Sequence, residues 1–410
     1  MRFTKVGALA TAALFAFTAC SGTPGASGGG ADKGSIEVWS SLPRQGSSKA
    51  QTDTIVNAIN MALEERSGKV AGYTIVYKDV DDSTAAAGKW DEATEIKNAN
   101  DAVANDKLVA YIGTFNSGAA KLSIPILCAK GIVMVSPANT NVGLTKPFNP
   151  GEPDVYYPGG CKKNYTRVVP ADDLQGGAGA LWSSQLGAKN VYVIDDTEVY
   201  GKGIADVYAQ KAPDNGLKIL GRDGIDGKAS DYKALAEKIK ATNPDLVYYG
   251  GITQNNAGQL WRDLRDAMPE VKLMGPDGIA ESEFLQAAGA AAEGSYVTSG
   301  AVPPDQLAGK GAEFIKKYSA KYPNAPAEVY TAYGYEAAQV VFAAIERAAA
   351  KNPADTLALR ALVLDEIKGT KDFDGVLGKW SFDAAGDTSL TEMSGLIVTS
   401  GDFKFDKIIK

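Results

Sequence analysis

Leu108–Asn141 reads LVAYIGTFNSGAAKLSIPILCAKGIVMVSPANTN. Leu108–Ile112 is a short apolar run of strand length. Gly118–Ala129 has the length and small-residue content of a helix. Ile132–Val135 is again a strand, and each strand ends in a polar turn. A strand, a helix and a second strand within such a span form a βαβ unit. Two parallel strands joined by a crossover helix call for a sheet covered on both faces.

The same rhythm extends in both directions. Upstream lie strand Ile36–Trp39, helix Ser48–Ser67 with Ile55, Ile59 and Leu63 on one face, strand Tyr73–Lys78 and helix Asp91–Asn105. Downstream, Asn149–Lys163 breaks the pattern with prolines, glycines and two tyrosines, and reads as an inserted hairpin or loop. After Tyr165–Val169 the alternation restarts. Strands Val191–Asp195, Leu217–Leu220, Leu246–Tyr249 and Lys272–Met274 alternate with helices Gly201–Ala212, Tyr232–Ala241 and Asn256–Ala267. Helices Gly309–Tyr322, Thr331–Lys351 and Thr356–Lys368 follow, then a strand-rich tail from Lys379. The expected fold is α/β, with two doubly wound, Rossmann-like lobes joined by a hinge of three crossovers. Residues 35–169 and 300–375 are assigned to lobe 1, and 170–299 and 376–410 to lobe 2. Trp90 and Trp261 fall within helical runs and are read as packing residues.

Composition narrows the chemistry. The chain has 410 residues, 45% of them hydrophobic, and a formal net charge of −7. It carries no basic surplus for nucleic acid. It contains no histidine, which removes Ser-His and Cys-His nucleophile pairs, histidine metal sites and the usual general base. Asp79, Asp81 and Asp82 lack a companion acidic cluster and read as a strand-end turn, so no metal and no cofactor is expected.

The N-terminal residues form an expected export signal over 1–19. Arg2 and Lys5 precede an apolar run at Val6–Phe17, too short to span a bilayer, and small residues lead to Cys20. A cysteine at that place is where a lipid anchor attaches. Residues 20–34 hold Gly, Ser and Ala without apolar periodicity, and read as a flexible tether with a reach of roughly 20 Å. Of three cysteines this leaves Cys128 and Cys161. An even remainder in an exported chain favours a disulfide, with two buried thiols as the alternative.

In open α/β sheets, ligands bind beyond the carboxyl ends of strands. There stand Gly113-Thr114-Phe115-Asn116-Ser117-Gly118, then Ser136-Pro137-Ala138-Asn139-Thr140-Asn141, then Asp195–Gly201 with Tyr200 opening a helix, then Gly250–Gln254 with Thr253, and Gly275-Pro276-Asp277-Gly278. Read singly, Ser117 is equally an N-cap, Tyr200 a packing residue, and Asp277 a turn former. None of the glycine-rich loops has a phosphate-loop lysine or dinucleotide spacing.

Taken in order, these segments resemble one family across residues 35–410. They are similar to the branched-chain amino-acid binding proteins that feed ATP-driven importers, of the type I periplasmic binding fold. Tyr111-Ile112-Gly113, Ser117, Ser136–Asn141 and Leu144-Thr145 resemble the first-lobe ligand segment. Asp195–Gly203, Val247–Gly251 and Met274–Gly278 resemble the second-lobe segments. The resemblance implies that Ser117 and Thr140 donate to an α-carboxylate. It implies that the Ala138 carbonyl and Asp277 receive an α-ammonium. Asn116, Asn139, Tyr200 and Thr253 complete the expected ligand-binding set, with no catalytic residues. Asp277 stands where the family more often has glutamate. Ile252-Thr253-Gln254 replaces an aromatic wall, and Arg44–Ser48 replaces a first-loop tyrosine, so Arg44, Thr253 and Gln254 are expected to make the pocket more polar. The expected protein is a monomeric receptor, anchored through Cys20 on the outer face of the membrane, that hands its solute to an ABC permease. Its ligand is an amino acid, an amide or a small carboxylate. A sensor of the same fold serving a signalling partner and a carboxylate-based hydrolase are the alternatives.

Overall fold

The structure is a computed structural model that describes residues 32–410; the expected export signal, the expected lipid site at Cys20 and the expected tether up to Ala31 lie outside the described residues. In chain order its strands are β1 Ser35–Leu42, β2 Lys69–Val70, β3 Tyr73–Asp81, β4 Ser83–Thr84, β5 Lys89–Trp90, β6 Leu108–Gly113, β7 Val133–Ser136, β8 Tyr165–Arg167, β9 Asn190–Asp195, β10 Lys218–Gly224, β11 Leu246–Gly250, β12 Lys272–Gly275, β13 Tyr296–Ser299, β14 Phe373–Gly375, β15 Gly378–Trp380, β16 Ser394–Thr399 and β17 Asp402–Ile408. The helices are α1 Lys49–Glu64, α2 Glu92–Val103, α3 Ser117–Cys128, α4 Asp172–Gln185, α5 Val199–Lys211, α6 Lys233–Lys240, α7 Ala257–Ala267, α8 Ser282–Ala288, α9 Lys310–Lys321, α10 Thr331–Ala349 and α11 Thr356–Lys368.

Two sheets result, in two lobes. The first has the order β2-β3-β1-β6-β7-β8, parallel except for β2; the second has the order β10-β9-β11-β12-β13-β16-β17, parallel as far as β13. Strand side chains alternate between the two faces. On β7, Val133 and Val135 pack towards α1, α10 and α11, whereas Met134 joins α2 and α3. On β9, Val191 and Val193 face α4 and α5, and Tyr192 and Ile194 face α6 and α7. Strands buried on both sides must be apolar at nearly every position, which is why β6 (LVAYIG) is buried throughout. Among the described residues no helix is long and apolar enough to cross a membrane.

The chain crosses between lobes after β8, after β13 and before β16. The last crossing lies later than the sequence suggested. Val376–Asp387, assigned above to lobe 2, stays with lobe 1 because two buried charges there need it. The Val376 amide and Trp380 Nε1 donate to the Glu336 carboxylate of α10 at 2.9 and 2.6 Å. Asp387 accepts from Arg167 Nε at 2.7 Å. Within the irregular 149–163 segment, Cys161 forms a disulfide with Cys128 at the end of α3, with Cα atoms 5.9 Å apart.

Candidate functional site

The carboxyl ends of β6, β7, β9, β11 and β12 meet at the space between the lobes. Phe115, Asn116, Ser117, Ala138, Thr140 and Tyr330 enclose it from the first lobe; Tyr200, Ile252, Asp277, Gly278 and Glu281 do so from the second. The free space left between these walls is small, about 30 Å³, so the lobes stand closed on each other here. A larger, open hollow between α9, α10 and β14 draws its walls from lobe 1 alone.

Helix α3 begins at Ser117, with Asn116 as its N-cap, so Ser117 is not the capping residue. Its Oγ accepts the Asn141 amide at 3.3 Å, which ties the β6 loop to the β7 loop. The β7 loop is shaped from both ends. Ser136 Oγ accepts the amides of Ala138 and Asn139 at 3.2 and 2.9 Å. The fully buried Arg167 donates to the carbonyls of Asn139 and Asn141 at 3.3 and 2.7 Å, and also bonds to Thr145. Arg167 therefore holds the backbone that presents Ala138 and Thr140, and Asp387 from the last crossing neutralises it.

Asp277 lies at the floor. Its Oδ1 accepts from Gln175 Nε2 at 2.6 Å and from Tyr200 at 2.7 Å, and its Oδ2 accepts from Tyr330. Three of a carboxylate's roughly four acceptor directions are thus taken by the protein. Burial pushes its carboxyl up, against the pull of those three donors. Asp172, buried behind Thr140, is raised well above its usual range by burial and by the charge of Asp277. Gly278 allows this packing, because a Cβ there would stand 2.4 Å from the Gly251 carbonyl and 2.7 Å from the Tyr200 ring.

Six of the eight residues expected to bind ligand line the space: Asn116, Ser117, Ala138, Thr140, Tyr200 and Asp277. Asn139 and Thr253 do not. The Asn139 amide donates to the Phe115 carbonyl at 2.8 Å, and Thr253 donates to the Gly278 carbonyl at 3.3 Å. Arg44 also stays out, because Asp53 and Asp79 hold it at 2.6 and 2.9 Å. Ile252 lines the space at the position of the replaced aromatic, while Phe115 and Tyr330 bring aromatic rings from the first lobe, edge to face with centroids 6.0 Å apart. Tyr330, Gln175, Arg167 and Glu281 were missed by sequence reading. Glu281 lies only three residues beyond the quoted Asp277-Gly278 pair; Tyr330 carries no local signal.

The lobes also grip each other outside the cavity. Lys89 pairs with Glu198 and donates to Asn255 Oδ1 at 2.7 Å, and Trp90 Nε1 donates to Glu198 Oε2 at 3.0 Å. Trp90 is thus on β5 at the cleft rim, not in a helix. Asn141 Nδ2 reaches the Val199 carbonyl at 2.9 Å, and Gln254 donates to Ser48.

Comparison with known proteins agrees with this geometry. A family model described as periplasmic binding protein matches residues 37–399. Leu/Ile/Val-binding protein homolog 2 of Brucella abortus is 30% identical over 371 residues, covering 88% of this chain and 90% of its own. The structure of a leucine binding protein, LivK, from Thermotoga maritima superposes with a TM-score of 0.79 at 25% identity, covering 92% of this chain and 99% of that one. The branched-chain amino acid transporter substrate binding protein LivJ from Streptococcus pneumoniae, in complex with isoleucine, gives a TM-score of 0.77 at 23% identity, covering 92% and 99%. The chain therefore belongs to the periplasmic binding protein family, in the type I architecture shared with its leucine- and isoleucine-binding relatives.

Proposed function

We propose that this protein captures an amino acid or similar small polar solute between its lobes outside the cytoplasm and delivers it to an ABC importer. The observation that carries this reading is the cavity wall. It is drawn from both lobes and presents buried polar atoms without a partner inside the protein, namely Asn116 Oδ1, Thr140 Oγ1 and Glu281 Oε2. Buried polar groups are nearly always bonded, so such atoms around one space point to a bound polar guest. The relatives, a Leu/Ile/Val-binding protein homolog, a leucine binding protein and a substrate binding protein in complex with isoleucine, support the amino-acid class.

In this reading, Ser117 and Thr140 take the guest's carboxylate, beside the positive end of α3. The Ala138 carbonyl and the remaining acceptor direction of Asp277 take its ammonium. A zwitterion entering a dry cleft needs both charges matched, and only the closed form brings the two lobes' groups together. Closure is then the event a permease recognises. The reading also places the chain outside the membrane as a monomer tethered through a lipid on Cys20, without catalysis of its own.

Calorimetry of the purified protein against the standard amino acids, with small-angle scattering of the free and saturated forms, tests this. Expected are a bound amino acid, a smaller radius of gyration on saturation, and loss of binding in Asp277→Ala. No bound amino acid, or identical scattering profiles, would overturn it.

A further inference from the structure

The acidic groups in the cleft outnumber what a neutral amino acid can match. Asp277 and Glu281 both line the space, and no lysine or arginine does. Arg167, buried beneath the β7 loop, is matched by Asp387 at 2.7 Å. The two acids differ in their bonding. Asp277 already receives Gln175, Tyr200 and Tyr330. Glu281 is 98% buried, since its exposure is 2%. Its Oε1 receives Gln254 Nε2 at 3.0 Å, and its Oε2 has no partner. Gln254 is itself pinned across the cleft by Ser48, so it does not swing to serve the second oxygen.

We propose that Glu281 is a second cation subsite, and that the preferred guest is an amino acid whose side chain ends in an amine. This rests on the reading of the cleft as an amino-acid site. A zwitterion with an aliphatic side chain brings one positive charge, which Asp277 and the Ala138 carbonyl consume. Glu281 would then be sealed in a low-dielectric space either ionised and unpaired or neutral and unused, and an unpaired buried charge is expensive. An amine-bearing side chain supplies the missing charge. Its methylenes have the Phe115 and Ile252 side chains to lie against, among the aromatic rings of Tyr200 and Tyr330. Burial pushes the Glu281 carboxyl up to about 8, against the hydrogen bond of Gln254 and with the like charges of Glu283 and Glu328. A cation arriving at neutral pH therefore displaces a proton, whereas an aliphatic guest displaces none.

The test is calorimetry of the full protein with lysine, norleucine (the same chain without the terminal amine) and glutamine, in two buffers of different ionisation enthalpy. The expected result is lysine bound at least about 30-fold more tightly than norleucine, with proton release at pH 7 for lysine alone. In Glu281→Gln the preference and the proton release disappear, while norleucine binding persists and so reports an intact cleft. Norleucine or glutamine binding as tightly as lysine, or a Glu281→Gln variant that weakens all three equally, would overturn the subsite and leave the amino-acid site standing. Failure of every amino acid to bind would overturn both.

Discussion

Glu198 of lobe 2 is held by two first-lobe side chains that stand side by side on β5, and removing its carboxylate weakens closure without weakening either lobe. The Lys89 side chain is 28% exposed and that of Glu198 is 18% exposed. The pair is therefore neither fully wet nor dry, and about 1 kcal/mol is a fair value for it. The Trp90 indole bond at 3.0 Å adds about 1 kcal/mol. Glu198→Ala thus costs the closed form about 2 kcal/mol, or about 30-fold in apparent affinity, because a guest that requires closure binds in proportion to the closed population. The contacts join one lobe to the other, so unfolding of each lobe is little affected. Calorimetry and stopped-flow dissociation with the tightest-binding amino acid measure the loss, which should appear chiefly as faster release. A double-mutant cycle with Lys89→Met isolates the ionic share. Affinity within twofold of the parent, or a melting temperature that falls in step with the affinity, would refute the latch.

Three further outcomes follow from the same structure. Arg167→Met leaves Asp387 buried without its main partner and should cost about 3–5 kcal/mol in urea unfolding. Its pH profile should change as well. Burial raises the Asp387 carboxyl, but Arg167, with Lys146 and Thr145, outweighs this and holds it below its usual range. The parent therefore keeps that stability above the unfolded value near 4 and loses it as pH falls through the lower folded value, and the variant should lack this acid-side loss. Cys128→Ser with Cys161→Ser opens a loop of sequence separation 33 and should lower unfolding stability by about 4 kcal/mol, with little change in ligand affinity. In Gly278→Ala the new methyl meets the Gly251 carbonyl and the Tyr200 ring; a loss of about 1–3 kcal/mol in stability and weaker amino-acid binding are expected by thermal shift and calorimetry.

The elements that were legible share one property: their periodicity depends on which side of a strand or helix is buried. β6, α3 and β7 are readable because a doubly covered parallel strand must be apolar along its length. Polar loops at strand ends marked Ser117, Thr140, Tyr200 and Asp277, because the chain turns there from the apolar sheet towards the space between the lobes. Trp90 was misplaced because the short β4–β5 hairpin has too few residues to show alternation. Residues 376–387 were assigned to the wrong lobe because their place is set by Glu336 and Arg167, each more than 35 residues away in sequence.

Local pattern alone therefore determined that this chain makes two α/β lobes, where its polar strand-end loops fall, and that histidine chemistry is absent. Tertiary structure decided how those loops divide the work. It spent Arg44 on Asp53 and Asp79, turned Asn139 and Thr253 into scaffolding, took up three acceptor directions of Asp277 with donors from α4, α5 and Tyr330 just before α10, and left one oxygen of Glu281 unmatched. Burial is dictated residue by residue along the sequence, whereas charge matching depends on which distant side chains the fold brings within hydrogen-bond reach.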